Sequence, residues 1–339
     1  MRIGVIGNEA SDADSIMSAI VYSWFLGKSG QQCVPYVQCR KEDLEYRLDF
    51  QEISTISNFS DIESIRSLHD YTVEDGIDAW ILLDHHFPSQ LHQARCASLK
   101  VVEVVDHHEI VSDETRSFVA TVEAVDIRTI GSTCTIVSER IQLEEVPKHL
   151  FFMLFLTIVI DTGNLSPALG KTTPSDVEQY QRLQRILGLT EREVGSLYER
   201  LVKSKFNPTF WFKATLDQVL RYDMKQQDGV GYSVILRPIE GLADSDIIDF
   251  VSRNNFKFFV LSSGAFSDDQ SSKLKRELLL YLPLPLREGQ VIVNDVLECV
   301  DSRVTWPLCE SRRIVRFEVL DTAFSRKKFF PKFLSLLPK

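Results

Sequence analysis

Short, largely apolar runs that alternate with stretches of helical periodicity constrain this chain more than any other feature. Ile3–Ile6, Val34–Val37, Trp80–Leu83 and Val101–Val105 are too short for buried helices and read as buried strands. Between them, Asp14–Gly27 and Gly131–Ile141 carry apolar residues at helical spacing, and Leu150–Ile160 reads as a buried core helix. Such alternation predicts a mostly parallel sheet with helices on both faces, whose ligands gather at the carboxyl ends of the strands. The rhythm weakens around Ser204–Pro208. Beyond it, Val230–Leu236, Phe258–Leu261 and Leu278–Leu282 read as strands, and Asp244–Arg253 and Val291–Val300 as helices. The expected architecture is α/β: a doubly wound, mostly parallel sheet over 1–204, followed by a smaller α/β domain over 205–339.

The residues after the apolar runs are therefore where chemistry should lie, and they are acidic or carry imidazole. Gly7-Asn8-Glu9-Ala10-Ser11-Asp12-Ala13-Asp14 follows the first run and Asp84-His85-His86 the third. Asp106-His107-His108 follows the fourth, and Asp161-Thr162-Gly163-Asn164 follows Ile160. Of seven histidines, four fall in the two Asp-His-His triplets, which random placement does not readily produce. One Asp after a strand is ordinarily a helix cap or a turn residue. Four segments with the same placement favour convergence instead. Asp12, Asp14, Asp84 and Asp161 gathered at one sheet edge would repel, and two divalent cations would balance their four charges. Oxygen-rich ligation with an imidazole suits Mg²⁺, Mn²⁺ or Co²⁺ rather than a thiolate-seeking metal. Paired metals can activate a water for in-line attack on phosphorus.

Charge then points to the substrate. The chain of 339 residues has a net charge of -10, which argues against a general nucleic-acid or membrane-surface binder. Yet residues 311–339 carry eight Lys or Arg against two acids, densest at Ser325-Arg326-Lys327-Lys328. In so acidic a chain this cluster reads as a phosphate clamp, Arg supplying a planar fork and Lys a point charge. The six cysteines are scattered with no C-x-x-C pair, which implies a reduced, cytoplasmic setting. No apolar run reaches the roughly 20 residues of a membrane helix, and Met1–Gly7 reads as a strand rather than a signal peptide.

These ordered motifs resemble the DHH phosphoesterase superfamily, in the branch whose second domain is of the DHHA2 type. That branch holds the family II inorganic pyrophosphatases, eukaryotic exopolyphosphatases and prune proteins. The Gly-Gly-His element usual in the nuclease branch is absent from this sequence. The resemblance implies that Asp12 and Asp84 hold one metal, and that Asp14, Asp84, His107 and Asp161 hold the other. His108 would contact phosphate and assist proton transfer, with Asp106 orienting the imidazoles. Arg326, Lys327 and Lys225 would bind phosphate. So would Arg47, in a segment resembling that branch's Leu-x-Leu-Arg-x-Asp pattern.

Asn8 stands where family II pyrophosphatases place His, whereas the exopolyphosphatase and prune sequences read Gly-Asn-Glu, as here. As a neighbour of the first metal, an amide oxygen would tilt the preference toward Mg²⁺, with Mn²⁺ or Co²⁺ as alternatives. The expected activity is hydrolysis of terminal phosphoanhydrides in inorganic polyphosphate by a metal-activated water. The rivals are an inorganic pyrophosphatase, a cyclic-nucleotide or oligonucleotide phosphodiesterase, and a prune-like interaction protein. Polyphosphate or pyrophosphate is the expected partner, with no nucleic acid and no membrane, for a monomer or homodimer.

Overall fold

A computed structural model describes residues 1–96, 100–110, 112–141, 146–266, 274–309, 313–321 and 324–338. The chain divides into two compact units, Met1–Phe206 and Asn207–Lys339.

Among the described residues the first unit is built on six strands: β1 (Arg2–Ile6), β2 (Gln32–Val37), β3 (Arg66–Ser67), β4 (Ala79–Leu83), β5 (Val101–Asp106) and β6 (Ala124–Ile127). Their order is β3-β2-β1-β4-β5-β6, and every neighbouring pair is parallel. The order reverses direction between β1 and β4, so the ends of these two strands open a crevice at the switch point. Among the described residues its α-helices are α1 (Ala13–Lys28), α2 (Leu48–Ser57), α3 (Gln90–Arg95), α4 (Asp113–Val119), α5 (Thr133–Arg140), α6 (Lys148–Asp161), α7 (Pro174–Leu187) and α8 (Glu191–Lys205).

The sheet separates two apolar layers, because alternate side chains of each strand point to opposite faces. Val5, Ile81 and Val105 pack with α1, α5 and α6, whereas Ile6, Trp80, Leu82 and Val104 pack with Tyr36 and Leu68. Helix α6 is buried nearly all round, from Leu150 to Val159, with α1, α2, α5, α7 and α8 against it. Each such side chain contributes roughly 1.5–3 kcal/mol on burial, so α6 is a main anchor of this unit. Among the described residues, no helix is long and apolar enough to cross a membrane.

The second unit has helices α9 (Pro208–Lys213), α10 (Leu216–Arg221), α11 (Asp244–Arg253), α12 (Leu286–Cys299) and α13 (Arg326–Leu336). Its strands are β7 (Asp223–Gln227), β8 (Val230–Ile235), β9 (Phe258–Phe266), β10 (Leu274–Tyr281), β11 (Ser302–Trp306) and β12 (Ile314–Val319). They form a mixed sheet in the order β11-β12-β10-β9-β8-β7, in which β8 and β9 pair in parallel and the other described pairs are antiparallel. Helices α12 and α13 cover one face through Ile292, Val296, Phe329 and Phe333. The other face is covered by α10 and α11 through Leu220, Ile247 and Phe250.

Candidate metal centre

The centre begins where β1 delivers the chain into α1. A Cβ on Gly7 would lie 2.6 Å from the Ser15 Cβ, so only glycine lets the first turn of α1 approach this closely. Asp12 caps α1 by accepting a hydrogen bond from the Ser15 N–H at 3.1 Å, and its side chain is exposed. Asn8 is buried, and its amide is divided between two tasks. Oδ1 accepts from the backbone N–H of Ala10 at 2.8 Å and Ser11 at 3.2 Å, which leaves Nδ2 to donate to Asp84 Oδ2 at 2.7 Å. The Asn8 oxygen that sequence reasoning offered to a metal is thus turned to the backbone, and Asn8 acts on Asp84.

Asp84 leaves β4 with φ at +62°, the left-handed region that Asp and Asn enter more readily than other side-chain-bearing residues. Its Oδ2 accepts from Asn8 and from Ser15 Oγ, both at 2.7 Å. Its Oδ1 faces His107 Nε2 at 3.2 Å and His108 Nδ1 at 3.6 Å. Burial alone would raise the Asp84 pKa, but His107 and His108 outweigh it and hold the carboxyl at about 2.

The second triplet is organised by Asp106, which is fully buried at the end of β5. Its Oδ1 accepts from the His107 and His108 backbone N–H groups at 2.7 and 3.2 Å, and from His108 Nδ1 at 2.8 Å. Its Oδ2 takes the ring of His86 at Nδ1. Burial opposes the charged form of Asp106, but the hydrogen bonds from His108 and His86 prevail and depress its pKa. His107 Nδ1 lies 2.9 Å from the Ile130 carbonyl, which can only accept, so the ring hydrogen sits on Nδ1. Nε2 is then the ring nitrogen turned toward Asp84 and, at 3.9 Å, toward Asp14. Burial would lower the His107 pKa, but these two carboxylates raise it to about 10.

Asp14 is buried and gripped by the first turn of α5. Its Oδ1 accepts from Ser132 Oγ at 2.7 Å and the Cys134 N–H at 2.9 Å, and its Oδ2 from the Thr133 N–H at 2.7 Å. Asp161 comes from the C-terminus of α6 rather than from a strand. Its Oδ2 is buried with no hydrogen-bond partner among the described residues. Burial, then the charges of Asp14 and Asp12, push its pKa well up despite Lys205 and His107.

This donor set fits a divalent cation. Asp84, His107 and His108 offer ligand atoms within 4.8 Å of one another, His107 turns Nε2 toward the carboxylates, and Asp161 holds a buried oxygen without a donor among the described residues. Arg47 is buried beside Cys39. In the second unit, Arg326 donates to the Asp223 carbonyl at 3.0 Å and pairs with its carboxylate at 2.8 Å. Lys225, two residues along β7, falls on the same face as Asp223. The side chain of Lys327 lies outside the described residues. Sequence reasoning missed Ser15, Ser132 and Thr133, small hydroxyl residues whose roles rest on contacts across the fold.

The model of the DHH family, N-terminal domain, matches residues 2–169. The chain belongs to the DHH superfamily, in its DHHA2-type branch. Human exopolyphosphatase PRUNE1 is 30% identical over 266 residues, which cover 74% of this chain and 54% of that protein. The chain thus spans about half the length of this DHH relative. Its Rattus norvegicus counterpart is 27% identical over 303 residues, covering 82% of this chain and 63% of that protein. A Lactobacillus delbrueckii protein, provisionally named a manganese-dependent inorganic pyrophosphatase, is 29% identical over 196 residues. That match covers 56% of this chain and 57% of the bacterial protein.

Proposed function

We propose that this protein is a metal-dependent phosphohydrolase that removes terminal phosphates from inorganic polyphosphate. The observation that carries the reading is the convergence of Asp14, Asp84, His107 and Asp161, the first two fully enclosed, with one buried Asp161 oxygen that has no donor among the described residues. Asp12 and Asp84 would hold one cation, and Asp14, Asp84, His107 and Asp161 a second, with Asp84 shared. Two divalent cations bound there would supply charge neutralisation and water activation for attack on phosphorus. Mg²⁺ is the preferred ion in this reading, because carboxylate oxygens outnumber imidazole in the donor set.

The protein's own groups carry the rest. Asn8 and Ser15 fix the rotamer of Asp84, and Asp106 fixes the rings of His86 and His108. His108, with its Nδ1 hydrogen on Asp106, would hold or release a proton at Nε2 beside a phosphate oxygen. Lys225, Arg326 and Lys327 would bind phosphates of the chain through charge-assisted hydrogen bonds, and Arg47 is offered as a further phosphate contact on its family resemblance. Two relatives carry exopolyphosphatase in their names, and Asn8 stands where the pyrophosphatase pattern has His, so polyphosphate is preferred to pyrophosphate.

The test is phosphate release from pyrophosphate, tripolyphosphate and long polyphosphate with Mg²⁺, Mn²⁺ or Co²⁺ in turn. Release from tripolyphosphate and longer chains, abolished by chelation, is expected. Turnover of pyrophosphate alone would move the reading to a pyrophosphatase. No release from any of the three with any of the ions would end it.

A further inference from the structure

We propose that Asp176 is a positioning residue for the metal centre: it ties the segment bearing Asp161 to the α5 turn that grips Asp14. The inference rests on the metal-dependent reading above and adds a residue outside the proposed ligand set. By sequence, Asp176 is an ordinary helix-capping acid. Thr173-Pro174-Ser175-Asp176 opens α7 with a capping box, in which the Thr173 N–H and Oγ1 donate to Asp176 Oδ2, both at 2.8 Å. A capping box needs nothing more, and such acids are normally half-solvated.

Asp176 is instead fully buried and accepts two further bonds from α5 and the residues before it. The Gly131 N–H donates to Oδ2 at 2.9 Å, and Thr135 Oγ1 donates to Oδ1 at 2.6 Å. Between those two anchor points lie Ser132, Thr133 and Cys134, the three residues that hold Asp14. Asp176 thus holds the Asp14 cradle at both of its ends. The other side of the same junction is Thr162, which directly follows Asp161. A Cβ on Gly131 would lie 2.7 Å from Thr162 Cγ2 and 2.9 Å from Asp176 Oδ2, so the three residues meet without spare room. Two candidate ligands about 150 residues apart in sequence are thereby set relative to each other through one buried carboxylate.

The neighbouring helix supplies a control. Thr190 and Glu193 form the same capping box at α8, with Glu193 Oε2 accepting from the Thr190 N–H at 2.8 Å and Oγ1 at 2.7 Å. Glu193 is exposed, and both of those hydrogen bonds stay within its own box. If Asp176 were only a cap, Asp176→Ala and Glu193→Ala would act alike.

The experiment is Mn²⁺ binding by calorimetry on the full chain, with thermal unfolding run in parallel. Asp176→Ala is expected to weaken at least one Mn²⁺ site about tenfold or more, and Glu193→Ala to leave both unchanged. Asp176→Asn should stay within about threefold, because its amide oxygen can replace Oδ2 and the Thr135 hydroxyl can turn to accept from Nδ2. Should Asp176→Ala fail to fold, Thr135→Val removes a single bond to the same carboxylate and is expected to weaken Mn²⁺ severalfold. Unaltered Mn²⁺ binding in Asp176→Ala, or in Thr135→Val where the first does not fold, overturns the inference and leaves the proposed function standing. A parent chain that binds none of Mn²⁺, Mg²⁺ and Co²⁺ defeats the proposed function itself, and this inference with it; one that binds only Mg²⁺ or Co²⁺ is titrated with that ion, on the same expected ratios.

Discussion

The two sheets differ in what their topology does with charge. In the first unit every strand runs the same way, so the ends of β1, β4 and β5 share one edge. Motifs far apart in sequence meet there, and Asp14, Asp84 and Asp106 are buried with their oxygens engaged by hydroxyl, amide or imidazole. In the second unit, mostly antiparallel strands send successive ends to opposite edges, and its inner cations are held singly in separate ion pairs. Arg326 on Asp223 and Arg316 on Asp244 are examples, with 16% and 18% of each Arg side chain accessible. A parallel edge can thus assemble a compact polyanionic centre, whereas a mixed sheet can only present separate cations. The functional expectations divide the same way, into chemistry in the first unit and phosphate affinity in the second.

The sharpest way to break this division is Asp84→Asn. Asn tolerates the left-handed backbone and keeps an oxygen for Asn8 or Ser15, so fold and thermal midpoint should be preserved. Loss of the shared carboxylate charge should lower kcat about a thousandfold or more. Near-normal turnover at saturating Mg²⁺ would remove Asp84 from the centre.

A smaller effect is expected in the second unit. Removing a charge-assisted contact of roughly 1.5–3 kcal/mol predicts that Arg326→Ala lowers kcat/KM by about ten- to a hundredfold. Lys332, exposed on the same helix, is the control, and Lys332→Ala should change little. Equal small effects at both positions would reduce the basic cluster to a solvated surface.

The smallest effect is thermal. Burial raises the pKa of Asp161 and Asp14, so folding favours their protonated forms. That contribution is present at acid pH and is lost as pH rises through the raised values. Asp84 and Asp106, whose pKa values are depressed, contribute with the opposite sign and lose their part only in strong acid. A cation also competes with the proton on His107, whose pKa is raised to about 10. Saturating Mg²⁺ should therefore raise the thermal midpoint by a few degrees, more at about pH 8 than at about pH 5. Hydrogen exchange should slow in the first unit and not in the second. A larger increment in acid, or equal protection of both units, would contradict the division.

Legibility in the sequence followed burial and locality. Strands β1, β4 and β5 were readable because they are almost wholly apolar, and α11 because its amphipathic period is unbroken from Asp244 to Arg253. Strand β3 has two residues, and β6 and β11 are edge strands with exposed positions, so none of them stands out by pattern. Helix α12 begins at Leu286, earlier than its apolar period suggests, because Pro285 and a polar first turn precede the buried stripe. At the centre, acids directly following apolar runs could be picked out. Ser132 and Thr133 could not, since they engage residues 118 and 119 positions away. Nor could sequence show which end of the Asn8 amide faces Asp84, which the Ala10 and Ser11 N–H groups decide.

The left-handed turn at Asp84 also bears on how such a chain could change over generations. Few residues with a side chain tolerate that backbone, and Asn is the nearest to Asp in shape and reachable by a single base change in the codon. A lineage released from selection for turnover could therefore exchange Asp84 for Asn, keep its fold and its surface, and survive as a binding protein. Under the proposed function, the residue on which catalysis would most depend is, for the same geometric reason, the easiest place for catalysis to be lost without loss of the protein.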